Sequence, residues 1–252
     1  MPPFLFVWNQ TNMKYVFLIW LLLTFSGPLW LLISRQVDLT ADYTTANRDS
    51  AGFAPSPEIT SEAVIQVYAA RAFNWRGAFA SHCWIAVKPR SAARYTVYQV
   101  VGWRAYRGLP ALVVGEDIPD RNWFNEAPQI ILDIRGEKAA KLIPKLDEVA
   151  RQYPYAASYR VWPGPNSNTF PAYIARQIPE LGLALPADAV GKDLLVNTVV
   201  FARAPSGTGY QISLFGVFGI LIAQKEGIEI NLFGLVYGIR FTPFKILVPG
   251  WG

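Results

Sequence analysis

The sequence predicts an α+β protein. Helices pack on an antiparallel sheet, a transmembrane helix stands near the amino terminus, and a β hairpin extension closes the chain. Three observations carry this reading. Residues 15–33 form a run of 19 without a charge; as a helix rising about 1.5 Å per residue the run is about 28 Å long, close to the thickness of a bilayer core. Between residues 63 and 134, short β-branched runs alternate with turns too brief for parallel crossovers, which demands antiparallel pairing. Residues 138–152 then repeat apolar side chains at helical spacing.

Taken in order, residues 1–35 read as a membrane anchor. A cleaved signal peptide has a shorter apolar core, roughly 7–15 residues, and a small-residue cleavage site. Ser34-Arg35-Gln36-Val37-Asp38 supplies no such site. Gly27 and Pro28 are kinks that membrane helices tolerate. A buried soluble helix is the competing reading, and the all-round apolarity with Trp20 and Trp30 argues against it. Lys14 on one side and Arg35 and Arg48 on the other leave the positive-inside balance nearly even. The expected orientation has the amino terminus inside and the bulk domain outside.

Residues 36–60 are polar, carry Pro55 and Pro57, and read as an extended linker. Residues 61–195 form the core. Its expected strands are residues 63–70, 81–88, 95–103, 112–114 and 130–134. Period-two alternation puts His82, Trp84 and Ala86 on one face and Cys83 on the other, as a small buried hydrophobe. Acidic residues around Pro119, among them Asp117 and Asp120, read as a solvated loop. Helix 138–152 places Ala139, Leu142, Ile143, Leu146, Val149 and Ala150 on one stripe and bends at Pro144. A second helix spans residues 169–177, with Asn168 as N-cap and Pro171 in its first turn.

Residues 196–252 read as the β extension. Two segments, 213–220 and 231–239, each hold Leu-Phe-Gly followed by Gly-Ile and suggest a long hairpin with glycine at the bends. The uncharged stretch 207–224 is alternatively a second membrane segment. Pro205-Ser206-Gly207-Thr208-Gly209 lacks the Gly-Lys-Ser/Thr ending of a phosphate loop, so nucleotide binding has no support.

Composition narrows the function. The chain is 52% hydrophobic and 16% charged, with net charge +5. Its Lys and Arg are scattered rather than clustered, which argues against nucleic acid. A solvated basic surface and attraction to anionic lipid headgroups or wall polymers are the readings that remain. One histidine and one cysteine provide neither a metal site nor an internal disulfide, and no cofactor motif is present.

The residues that can carry chemistry are few. Ser167 lies just before the second helix, where backbone amides and the positive helix end converge. His82 is the sole imidazole, and Gln99 on the next strand can orient it. Ser167 as nucleophile, His82 as base and Gln99 as orienter form the candidate catalytic set. Asn166, Asn168, Thr169 and Trp84 are the candidate substrate-binding residues, with the helix amides at Asn168 and Thr169 available to an oxyanion.

The order of a histidine strand, a polar strand and a late nucleophile at a helix start resembles the circularly permuted branch of the papain-like, NlpC-like superfamily. That family opens its helix with a motif similar to Asn-Cys-Asn-Ser/Thr-Phe, where this chain has Asn166-Ser167-Asn168-Thr169-Phe170. Asp49-Ser50-Ala51-Gly52, the run from His82 to Pro89, the run from Trp162 to Phe170, Gly191-Lys192-Asp193 and the run from Pro205 to Tyr210 resemble a bacterial family catalogued as domain of unknown function 3750. The first resemblance implies a permuted papain-like core, with serine in the place of the thiol. A histidine partner activates a thiol far more readily than a hydroxyl. Two readings therefore stand: hydrolysis or transfer of an acyl or amide bond in peptidoglycan peptide or lipid, or a catalytically inactive module that binds such an envelope ligand. A third makes the chain an accessory subunit of a membrane complex. The expected setting is a single pass through a bacterial inner membrane, with residues 15–33 in lipid and the bulk domain periplasmic or otherwise extracytoplasmic.

Overall fold

The computed structural model describes residues 10–198 and 200–251. Helix α1 (Gln10–Ile33) contains one stretch, Asn12–Ile33, long and apolar enough to cross a membrane. Strands β1 (Val64–Arg71), β2 (Ser81–Lys88), β3 (Thr96–Val100), β4 (Leu112–Glu116) and β5 (Gln129–Arg135) form an antiparallel sheet in the order β4-β3-β2-β1-β5. A short helix α2 (Gly102–Ala105) follows β3, so the strand expected to reach residue 103 stops at Val100. Gly102 is pressed against the Tyr159 ring, and a Cβ there would stand 2.5 Å from it, which explains the turn-off at this point.

The two faces of this sheet have different covers. Ile65, Val67, Cys83, Ile85, Val87 and Tyr98 point to the side carrying α3 (Gly136–Arg151) and α4 (Thr169–Gln177). The stripe predicted for the first helix is the one buried: Ala139, Leu142, Ile143, Leu146 and Ala150. The other face presents Tyr68, Trp84, Ala86 and Val97, and loops cover it instead of helices. Part of that cover is the segment expected to be an extended linker. Asp120, expected in a solvated loop, is buried at 1% exposure; its carboxylate accepts hydrogen bonds from Ser50 Oγ (2.8 Å), Phe53 N–H (2.6 Å) and Ala54 N–H (3.0 Å). A carboxylate sequestered by three donors serves as a fastener, and it holds residues 50–54 down on the sheet.

The carboxyl-terminal third is larger than a hairpin. Strands β6 (Phe201–Arg203), β7 (Gly209–Leu214), β8 (Phe218–Ala223), β9 (Gly227–Leu232), β10 (Leu235–Phe241) and β11 (Phe244–Leu247) form a six-stranded antiparallel meander in chain order. The stretch 207–224, weighed as a second membrane segment, folds as β7 and β8, each six residues long.

The inner face of this second sheet mixes polar side chains with the buried Leu221, Ala223, Val236 and Leu247. Gln211 and Ser213 on β7 and Glu229 and Asn231 on β9 are buried there. Lys192 and Asp193 meet them from the core domain. Lys192 Nζ lies 2.5 Å from Glu229 Oε2 and 3.4 Å from Asp193 Oδ1. Asp193 accepts hydrogen bonds from Gln211 Nε2 (3.1 Å) and Asn231 Nδ2 (2.9 Å), and Arg176 on α4 donates to Gln211 Oε1. The network fastens the meander to the core.

Helix α1 packs beside the meander. Thr24 Oγ1 and Tyr237 Oη are 2.6 Å apart, Trp20 meets Phe233, and Trp30 stacks on Trp251 at 6.3 Å between ring centroids. Gly27 provides the notch for the chain after β11: a Cβ there would stand 2.3 Å from the Pro249 carbonyl oxygen.

Removing one partner of a buried ion pair strands its charge, at a cost of about 3–5 kcal/mol. Lys192→Met leaves Asp193 and Glu229 uncompensated, and denaturant titration of the full chain in micelles is expected to show a loss of that size. An exposed pair such as Arg90–Glu137 provides the contrast: Arg90→Ala should change stability by about 0–1 kcal/mol.

Candidate functional site

Strand β2 places His82 on the loop-covered face, two residues from Trp84. The loop after β4 lays Trp123 flat against the imidazole, with ring centroids 3.6 Å apart and planes 7° from parallel. Trp84 sits 5.6 Å from His82 on another side, and its indole N–H donates to the Pro119 carbonyl (2.7 Å). Trp103 stacks behind Trp123 at 6.0 Å, and the Arg48 guanidinium rests 4.0 Å over the Phe124 ring. His82 is 6% exposed. Its Nε2 is enclosed without a hydrogen-bond partner among the described residues, so this nitrogen does not hold the Ser167 hydroxyl. Burial pushes the imidazole pKa down to about 3, which keeps the ring neutral.

Gln99 is displaced from the place expected of an orienter. Strands β2 and β3 pair through Ile85↔Tyr98, Ala86↔Val97 and Val87↔Thr96. Continuing that register sets Gln99 beside Trp84 and Val101 beside His82. Gln99 instead lines a cavity of about 130 Å³ with Trp84, Trp103, Trp123, Arg48 and Arg121.

Ser167 stands before α4, as the sequence indicated, and is 7% exposed. Its neighbours tie the helix start to the sheet. Asn168 Nδ2 donates to the Ser81 carbonyl (2.9 Å) and to the Val190 carbonyl (2.8 Å), and its Oδ1 accepts from Cys83 N–H (3.1 Å). One side chain thus grips β2 on both sides of His82, where β3 no longer pairs with it. Asn166 Oδ1 accepts from Asn168 N–H (2.9 Å) and Thr169 N–H (3.3 Å), and its Nδ2 donates to the carbonyls of Val161 and Val190. Thr169 Oγ1 donates to the Gly191 carbonyl (2.9 Å). Gly191 adopts φ +97°, and a Cβ there would stand 2.3 Å from Asn166 Nδ2, so the knot closes only around glycine. The amides expected to face an oxyanion therefore already have an acceptor in Asn166. Asn166, Asn168 and Thr169 spend their polar groups within the protein.

The start of α4 meets the β2 backbone on either side of His82 through Asn168, while the imidazole lies on the loop-covered face; sequence reasoning missed Trp123, Trp103, Arg48 and Arg121. These come from loops whose position depends on the Asp120 fastener, and no local period marks them. The nearest available signal was Pro119-Asp120 between two short apolar runs. Among the described residues no group of three or more His, Cys, Asp or Glu side chains is placed to hold a metal ion.

A family model described as "Protein of unknown function (DUF3750)" matches residues 62–194, which hold the first sheet, α3, α4 and the Asn166–Thr169 knot. No curated protein and no solved structure matches the chain.

His82 is the sole histidine, so its ring gives a single set of imidazole NMR signals. Its folded pKa of about 3 lies below the ordinary value of 6.5, so between those values the unfolded chain binds the extra proton. Its contribution to stability is complete above about pH 6.5 and is lost as pH falls toward 3. The signals should stay at their neutral positions from pH 8 to about 5; titration near 6.5 would mean an imidazole open to water.

Proposed function

We propose that this chain, which belongs to the DUF3750 family, is a membrane-anchored module of the bacterial cell envelope that recognises an envelope peptide or lipid without turning it over. The bulk domain stands on the outer side of the inner membrane, and its core is a permuted papain-like domain with Ser167 in the thiol's place. The observation that carries this reading is the Trp123 indole seated face to face on His82. A general base must reach the proton it takes, whereas the Nε2 of this imidazole is enclosed and burial disfavours the protonated ring. The occupied amides at Asn168 and Thr169 support the same conclusion, because an oxyanion needs donors that are free. The neighbouring cavity is small against the roughly 300–1,000 Å³ of a drug-sized ligand site. It suits one small polar group held between indoles, with the Gln99 amide and the Arg48 guanidinium at hand and Arg121 already paired with Asp117 on the same wall.

A second reading, an acyl or amide hydrolase gated by the Trp123 loop, is favoured by the Asn168 clamp, which brings the helix start against the strand segment of His82.

A serine-directed fluorophosphonate probe separates the two. No labelling is expected for the wild type or for Trp123→Ala, which uncovers the imidazole. Labelling of either one that disappears in Ser167→Ala would establish the hydrolase. The binding reading further expects heat from calorimetric titration with a soluble peptidoglycan stem peptide or a short-chain phospholipid, and its loss in Gln99→Ala. No heat from either ligand would remove envelope recognition.

A further inference from the structure

The meander is built with its polarity reversed. Its inner face carries the buried Gln211, Ser213, Glu229 and Asn231, while its outer face is aliphatic and aromatic. The register shows how continuous that outer face is. Ile212, Ile220 and Ile230 form one cross-strand row, and Ile222, Ile228 and Ile239 form the next. All six are exposed, Ile222 at 60%. Along the strands, Arg203 is the only charged side chain alternating outward among the described residues. Water-facing sheets show the opposite pattern, and contiguous exposed apolar surface of this kind marks a lipid or protein contact.

The geometry points to lipid: the outer face of the meander is seated in the acyl chains of one membrane leaflet, beside α1. The first argument is continuity with the membrane helix. Thr24, which meets Tyr237, lies about 18 Å along α1 from Asn12 and about 14 Å from Ile33, at about 1.5 Å per residue. Trp20, which meets Phe233, is deeper still from the Ile33 end. With α1 across a bilayer, those contacts fix that end of the meander at hydrocarbon depth. The second argument is a gradient along the strands. The β7–β8 and β9–β10 turns, beside the Trp20 end of α1, present Phe215 (74% exposed) and Phe233. At the opposite end Arg203 alternates outward, placed to meet anionic headgroups, while Lys225, Arg240 and Lys245 line the inner cleft facing the core. The short edge strands β6 and β11 pair only with the basic-end portions of their neighbours, Tyr210–Ile212 and Gly238–Phe241. The third argument is composition: isoleucine dominates, where protein interfaces favour Tyr, Trp and Arg anchors.

The test uses the full chain in vesicles of phosphatidylcholine and phosphatidylglycerol. In a Cys83→Ala background, Ile212→Cys, Ile230→Cys and Ile222→Cys each receive a nitroxide, and Glu148→Cys on the exposed side of α3 serves as the aqueous control. Collisions with oxygen report lipid, and collisions with a water-soluble nickel chelate report water. The expected result is loss of nickel collisions and gain of oxygen collisions at all three isoleucine positions relative to Glu148→Cys, with Ile230 deeper than Ile222. Nickel access at these positions overturns the proposal. Loss of both oxygen and nickel collisions also overturns it, because that signals burial by protein; disulfide crosslinking of unlabelled Ile230→Cys would then identify a second copy of the chain. These readouts do not depend on the His82 site, so recognition at that site and lipid seating of the meander fail separately.

Discussion

The buried charges of Lys192, Asp193 and Glu229 set the terms for the rest of the molecule. Ions removed from water must be surrounded by partners, and here the partners lie on β7, β9 and α4. Because residues alternate along a strand, committing Gln211, Ser213, Glu229 and Asn231 inward sends every neighbour outward. Those neighbours are isoleucine, tyrosine and leucine. The second sheet therefore has buried polar residues on β7 and β9 and an apolar exterior as one consequence of a single registered network. A slip of one residue would expose Glu229 and bury Ile230 against Lys192, so the register is held strongly.

A similar economy governs the Asn166–Thr169 knot. A polar cluster at a helix start has two uses: it can bind something that arrives, or it can bind the protein itself. In this chain the Asn166 carbonyl oxygen occupies the amides, and the Asn168 side chain replaces the missing partner of β2. The remaining polar groups near His82 lie on the opposite side of the sheet, where Gln99, Arg48 and the Arg121–Asp117 pair surround three indoles. Serine is compatible with this division of labour because a small hydroxyl at position 167 leaves the knot undisturbed.

How much of this was legible depended on the range of the forces involved. The faces of β2 and the stripe on α3 follow from periods of two and 3.6, and the residues assigned to them are where the structure has them; α4 starts where expected, but Asn166 rather than the expected Asn168 supplies the oxygen that caps it. Asp120 and Trp123 were invisible because their roles arise from partners up to 70 positions away, Ser50 and His82. The carboxyl-terminal third was half legible. The Leu-Phe-Gly echo marked two real turns, after β7 and after β9, but alternation cannot state which face turns inward. The usual assumption, apolar inside, would have turned β7 and β9 the wrong way, exposing Gln211, Ser213, Glu229 and Asn231. Lys88 shows the same limit: it looks like a surface lysine, yet it is fully buried and donates to the carbonyls of Thr60 and Glu62.

The seat of Pro249 to Trp251 in the notch at Gly27 joins positions more than two hundred residues apart. A ribosome adding about 5–20 residues per second separates their synthesis by roughly ten to forty-five seconds. For that interval α1 exists without the residues that later fill its notch and stack on Trp30. Its glycine groove is then uncovered. Arrival of Trp251 is the event that ends this exposure, so completion of the α1 surface waits on residues made more than two hundred positions later.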